Sequence, residues 1–221
     1  MVPEPGAIMY GTDAGEDEFR YMVAMVAFDN RKKIDDVYSA GSILDERWII
    51  TARHVVINPD TKMIENFEVV PKYGNKIEKI TSSKSKRYKM SKIFCTPPED
   101  DADLALLKLS EPIPLKKSPD YFEKVLLPNK MNWSLDIWAA GWGFKHGIGS
   151  SKFDAAITLQ KGKLYNLSEQ CSSSCKVFHI KATNKVATCI GDSGGPAIIR
   201  NQGTSGDELV GVISGGKQFC Q

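Results

Sequence analysis

The chain has 221 residues, 42% of them hydrophobic and 25% charged, enough for one large all-β domain or two small ones with a substantial core. With 29 basic against 27 acidic side chains, the formal net charge of +2 gives no field that would draw nucleic acid. No apolar run approaches the ~18 residues that span a bilayer, which argues against a membrane protein. The opening MVPEPGA has neither the basic nor the apolar region of a signal peptide, so residues 1–7 read as a propeptide-like leader or an added segment.

In chain order the signal is one of short strands. EFRYMVAMVAFD, VYSAGSIL, RWIITA, NFEVVPKYG, RYKMSKIFC and DLALLKL are apolar or β-rich runs parted by polar, Gly, Pro or Asp turns. The basic stretch SSKSKRYKMSK, Ser82 to Lys92, reads as a solvated loop entering a strand. The Pro-rich segment from Pro112 to Pro128 cannot continue a sheet and reads as an extended linker. A second set of strands follows in SLDIWAAGWGF, AAITLQKGKLY, GPAIIRN and ELVGVISGG. Only NLSEQC looks like a helix start, with Asn166 or Ser168 as N-cap. The expected architecture is therefore all-β, two antiparallel barrels at about 8–111 and 129–221 with a linker over about 112–128.

The chemistry centres on GDSGGP. A serine hydroxyl needs a base within hydrogen-bond reach to become a nucleophile, and the chain offers His54, His146 and His179. His54 in WIITARHVV closes an apolar strand, where working side chains are commonly presented. His146 lies in a Gly-rich turn, and His179 in KVFHIKA can be half buried with no chemical role. A base histidine needs a shielded acceptor for its second nitrogen, and Asp103, which precedes the apolar strand LALLKL, is the best placed carboxylate. Five cysteines, one pair flanking the Gly-rich site, suggest a disulfide and an oxidising location. The sequons at Asn132 and Asn166 agree weakly with secretion. Scattered histidines without close Cys or His partners suggest no metal site, and no cofactor is expected.

The order His54, Asp103, Ser193, together with IMYG, AGSILDERWIITARH, DADLALLKL, AAGWG, GDSGGP and GVISGG, resembles the chymotrypsin-like serine endopeptidases from about Ile8 to Cys220. The resemblance implies two Greek-key barrels, the second incomplete at its C-terminus because relatives continue past QFCQ. It makes residues 8–221 one protease domain. Ser193 becomes the nucleophile of an acyl-enzyme mechanism, His54 the general base and acid, and Asp103 its orienter. Gly191 and Ser193 become the oxyanion donors. Ser214, Gly215 and Gly216 would pair with the substrate backbone, and Ala187 and Thr188 would line the specificity pocket. Asp192 would pair with an ammonium created by cleavage before Ile8, so the uncleaved chain would be a zymogen with an incompletely formed oxyanion site. Cys189 and Cys220 match the family's bridge beside the serine.

The resemblance further implies a secreted monomer with a polypeptide substrate, an activating protease and a protein inhibitor as partners. Several positions depart from the pattern. An uncharged Ala187 offers no counter-charge for a substrate Lys or Arg, so aromatic or medium apolar side chains are expected instead. Gly215 stands where relatives have tryptophan. Ser39 with Val55, and Ile137 with Ile199, replace two usual disulfides. Arg53 takes the place of an alanine, and its guanidinium must reach solvent or a carboxylate or else shift His54. These departures motivate the alternative, a catalytically weak or inactive homologue that acts as a binding protein.

Overall fold

The structure, a computed structural model, describes residues 8, 10–29, 34–115, 122–129, 136–143, 157–166, 176–181, 186–200 and 206–215. After a two-residue strand β1 (Thr12–Asp13), the apolar run MVAMVAFD forms β2 (Met22–Asp29), whose Met22 to Val26 are buried on both faces. A strand buried on both faces carries no polar alternation, which is why this stretch reads as a continuous apolar run. It is joined by β3 (Ile34–Asp45), β4 (Trp48–Thr51), β5 (Glu68–Pro71), β6 (Met90–Cys95) and β7 (Ala105–Leu109) in an antiparallel sheet ordered β5-β2-β3-β4-β7-β6. Mutual hydrogen bonds between Val69 and Tyr88 tie β5 to the chain entering β6, so the two edges meet and the sheet closes on itself. In β7 the pleat sends Ala105, Leu107 and Leu109 inward and leaves Leu106 at the surface.

The second antiparallel sheet contains β8 (Ile137–Gly141), β9 (Gln160–Asn166), β11 (Pro196–Ile199) and β12 (Glu208–Val212), ordered β1-β9-β8-β11-β12, with β10 (Ile180–Lys181) added to β9. Ile199 and Ile137 are cross-strand partners on β11 and β8, both buried. Burying an isoleucine is worth about 1.5–3 kcal/mol, the same order as the 2–4 kcal/mol typical of a disulfide. Apolar packing therefore substitutes for that bridge. Between the sheets the linker touches both: Val125 donates to Ile43 of β3, while Leu126 exchanges backbone hydrogen bonds with Asp207 and Leu209.

The all-β expectation and the order of the strands hold. β1 and β10 were not expected, since two residues carry no periodicity, and neither were the single-turn helices α1 (Arg53–Val56) and α2 (Ile77–Ile80). Asn166 ends β9 opposite Ile180, and the rest of the expected helix lies outside the described residues, as do His146, Asn132 and residues 1–7. His179 is exposed rather than half buried. Among the described residues no helix is long and apolar enough to cross a membrane.

Candidate active site

β4 ends at Thr51 and the chain turns at once into α1, which carries His54. Ala52, the N-cap, provides no side-chain acceptor for the first amides of that turn. Asp103 supplies the acceptors instead, its carbonyl accepting from the Arg53 amide (3.2 Å) and its Oδ1 from the His54 amide (3.0 Å). The other oxygen, Oδ2, lies 2.6 Å from His54 Nδ1 and accepts the Ser214 hydroxyl at 2.5 Å. Burial alone would raise the Asp103 carboxyl, but bonds from the His54 ring, the Ser214 hydroxyl and the His54 amide hold it down to about 2. An ionised Oδ2 fixes the proton of a neutral imidazole on Nδ1 and leaves Nε2 as an acceptor.

Ser193 lines the same cavity as His54 and Gly191, without a hydrogen bond from its hydroxyl to the ring among the described residues. The backbone around the serine is held from three sides. Its carbonyl accepts from Ser39 Oγ (2.5 Å) and the Ala40 amide (3.0 Å) of β3. Gly194 donates to Ile213 and Ile213 to Gly195, which ties the turn to the stretch that bears Ser214. Gly191 stands at φ 94°, and a Cβ there would come within 2.8 Å of the Gly143 backbone. Only glycine fits both conditions. The amides of Gly191 and Ser193 have no intramolecular acceptor among the described residues, so two donors beside the hydroxyl are available to an oxygen from outside.

Asp192 is fully buried between these donors and the second sheet. Its Oδ1 accepts from Gly143 (2.9 Å) and its Oδ2 from Cys189 (2.8 Å), and the Ile8 amide also donates to it. Gly143 makes the room, because a Cβ there would sit 2.7 Å from that carboxylate and 2.6 Å from the Ile190 carbonyl. Ile8 is itself fully buried, packed with Ala139 and Leu164. The Ile8 amide thus meets Asp192 in the continuous chain. An amide can supply the hydrogen bond but not the charge. Burial therefore dominates and lifts the Asp192 carboxyl to about 6, with the Cys189, Gly143 and Ile8 amides pulling against it. Ile8 also has φ 48°, a region costly for a β-branched residue.

Compared with known families, the chain is matched over residues 8–221 by the family model Trypsin. The chain belongs to the trypsin family. It is similar to coagulation factor IX of Oryctolagus cuniculus, 28% identical over 205 residues that cover 83% of this chain and 68% of the relative. It is also similar to coagulation factor IX of Cavia porcellus, 27% identical over 233 residues, 96% of this chain and 73% of the relative.

Against that trypsin-family background the departures find physical accounts. Arg53 neither floats free nor displaces His54. Its Nη1 donates to the carbonyls of Thr96 (3.1 Å) and Pro97 (2.5 Å), and its Nε lies 3.9 Å from Asp103 Oδ1. Thus a guanidinium staples the 96–97 loop to the helix that bears His54. Arg53→Ala is expected to lower stability by about 1–2 kcal/mol, because charged hydrogen bonds to two carbonyls disappear. Arg53→Lys should recover only part of that, since lysine is shorter and its flexible ammonium lacks the pre-organised planar guanidinium that also reaches toward Asp103. Urea unfolding of the three proteins measures it.

Ser39, one of the residues standing for a lost disulfide, has become the hydroxyl donor to the Ser193 carbonyl. The sequence shows only that a cysteine is missing there, and the hydrogen bond depends on a contact across 154 positions. Ala187 and Thr188 are half-buried, Ser214 and Gly215 exposed, and a Cβ on Gly215 would meet nothing within 4 Å, so that side of the cleft is open. Gly216 and Cys220 lie outside the described residues, as do Cys171 and Cys175. Cys189 is buried, and Cys95 is a free thiol.

Proposed function

We propose that this trypsin-family domain is a secreted serine endopeptidase made as a zymogen. The observation that supports it is the Asp103 carboxylate bonded to the His54 ring in one cavity with Ser193 and the unpartnered amide of Gly191. In this reading Ser193 Oγ attacks the scissile carbonyl carbon while His54 Nε2 takes its proton. The carbonyl oxygen becomes an oxyanion and accepts from the Gly191 and Ser193 amides, each worth about 3 kcal/mol to the transition state. The resulting imidazolium sits against Asp103 and Nε2–H passes the proton to the departing amine, leaving an acyl-Ser193 ester. Water, deprotonated by the same nitrogen, attacks that ester and releases the acid and the free hydroxyl. The bond between Oγ and Nε2 forms in the substrate complex, as is common where free enzymes keep the pair loose.

Cleavage before Ile8 completes the site. It turns an amide into an ammonium beside the buried Asp192, and it removes the peptide carbon that defines the strained φ of Ile8. An uncharged Ala187 and the open space at Gly215 favour an aromatic or medium apolar residue before the scissile bond over Lys or Arg. A Cys189–Cys220 bridge would brace the serine turn. It is supported by the burial of Cys189, which is not among the free thiols. An activating protease and a protein inhibitor are the expected macromolecular partners of a monomer.

A fluorophosphonate probe tests the activity. After cleavage before Ile8, one equivalent should label the wild-type chain at Ser193 and none the Ser193→Ala variant. Folded, cleaved protein that stays unlabelled would overturn the reading in favour of a protease-like binding protein, whose partner binding would survive Ser193→Ala.

A further inference from the structure

The cavity that holds His54 and Ser193 has a volume of about 430 Å³, and none of Ser214, Gly215, Ala187 and Thr188 lines it. Those four residues face the acyl side of the substrate in the endopeptidase reading. The cavity therefore opens on the leaving-group side, toward the residues that follow the scissile bond. Ser39 and Val55 line it where relatives have a disulfide, and Tyr38 and Ala27 add apolar wall. Two carboxylates, Asp36 and Glu65, complete it, and among the described residues no lysine or arginine lines it. Glu65 Oε1 accepts from Asn58 Nδ2 at 2.8 Å, which fixes the carboxylate while leaving Oε2 for another donor. Burial first, then the Glu65 carboxylate, raises the Tyr38 phenol far above its ordinary range.

We infer that this cavity is a specificity pocket for a lysine or arginine within the first two residues after the cleaved bond. A long cationic side chain matches it part by part. The methylene stem covers Tyr38 and Val55, and the charged head reaches the carboxylates beyond. A glutamate in the same place would meet like charges in a partly desolvated site. The inference rests on the endopeptidase reading for the direction of the substrate and deepens it: an apolar residue before the bond, a basic one after.

The test uses the chain cleaved before Ile8 and carrying Ser193→Ala, so that binding is read without turnover. Two fluorescent peptides with phenylalanine before the bond differ only in having Lys-Lys or Glu-Glu after it, and anisotropy gives Kd for each. The lysine peptide should bind at least ~10-fold tighter at low salt, with the ratio shrinking as salt rises. Adding Glu65→Gln and Asp36→Asn should cut the ratio below ~3-fold. Equal affinities, or a ratio that survives the two substitutions, would overturn the inference. Salt dependence of the ratio on the unsubstituted pocket keeps the test decisive if the added variants fail to fold. Fluorophosphonate labelling of the wild type reports separately on catalysis. Labelling without a lysine preference sinks the pocket and spares the peptidase, whereas a lysine preference without labelling does the reverse.

Discussion

Ser193→Ala is expected to lower kcat of the cleaved chain by roughly 10⁶-fold, and His54→Ala by a similar factor, with the double variant no worse than either. The reason is mechanical. The hydroxyl is a nucleophile only while Nε2 accepts its proton, and Nε2 has no proton to accept without the hydroxyl, so removing one already disables the other. What survives in all three is the pair of amides at Gly191 and Ser193, which does not depend on either side chain. That remainder should still exceed the uncatalysed reaction by about 10³-fold. Hydrolysis of an apolar peptide ester by the four proteins measures the factors. Losses that multiply in the double variant would mean that the two residues act independently, and the proton transfer between Ser193 and His54 would fall with that result.

Asp192 should reverse the sign of its contribution to stability when the chain is cleaved. In the continuous chain its carboxyl rises from an unfolded value near 3.8 to about 6. The folded state then holds the proton more tightly than the unfolded state. Stability from this group is greatest below pH 4, falls as pH climbs from about 4 to 6, and stays low above that, a change of about 3 kcal/mol. Asp192→Asn should flatten that slope, although the amide it introduces opposes one of the Gly143 and Cys189 donors. With an Ile8 ammonium in place the carboxylate becomes the favoured form, and stability should instead be lost as pH falls. Urea unfolding of cleaved and uncleaved chains between about pH 3.5 and 7.5 reads both slopes. In the cleaved chain Asp192→Asn should also cost about 10²–10³-fold in kcat/KM, the scale of losing one oxyanion donor. Parallel slopes before and after cleavage would remove Asp192 and Ile8 from the activation argument.

The strands and the candidates for the reacting groups are local properties and were legible without coordinates. Alternation in ALLKL, the doubly apolar run of β2 and the turn residues between strands are set by neighbours in the chain, and GDSGGP declares its glycines by the tightness of its turn. What stayed hidden needed partners far apart in sequence. That Asp103 caps the helix of His54 as well as holding its ring spans 49 positions and depends on β4 pairing with β7. Arg53 looked like an intruder until the 96–97 carbonyls came within its reach. Ser39 gained its hydrogen bond, and Asp36 and Glu65 their shared cavity, only when the closed first sheet set them beside Ser193. Composition and spacing select which side chains are available. Long-range packing selects which of them share low-dielectric space, and that decides their charges and their chemistry.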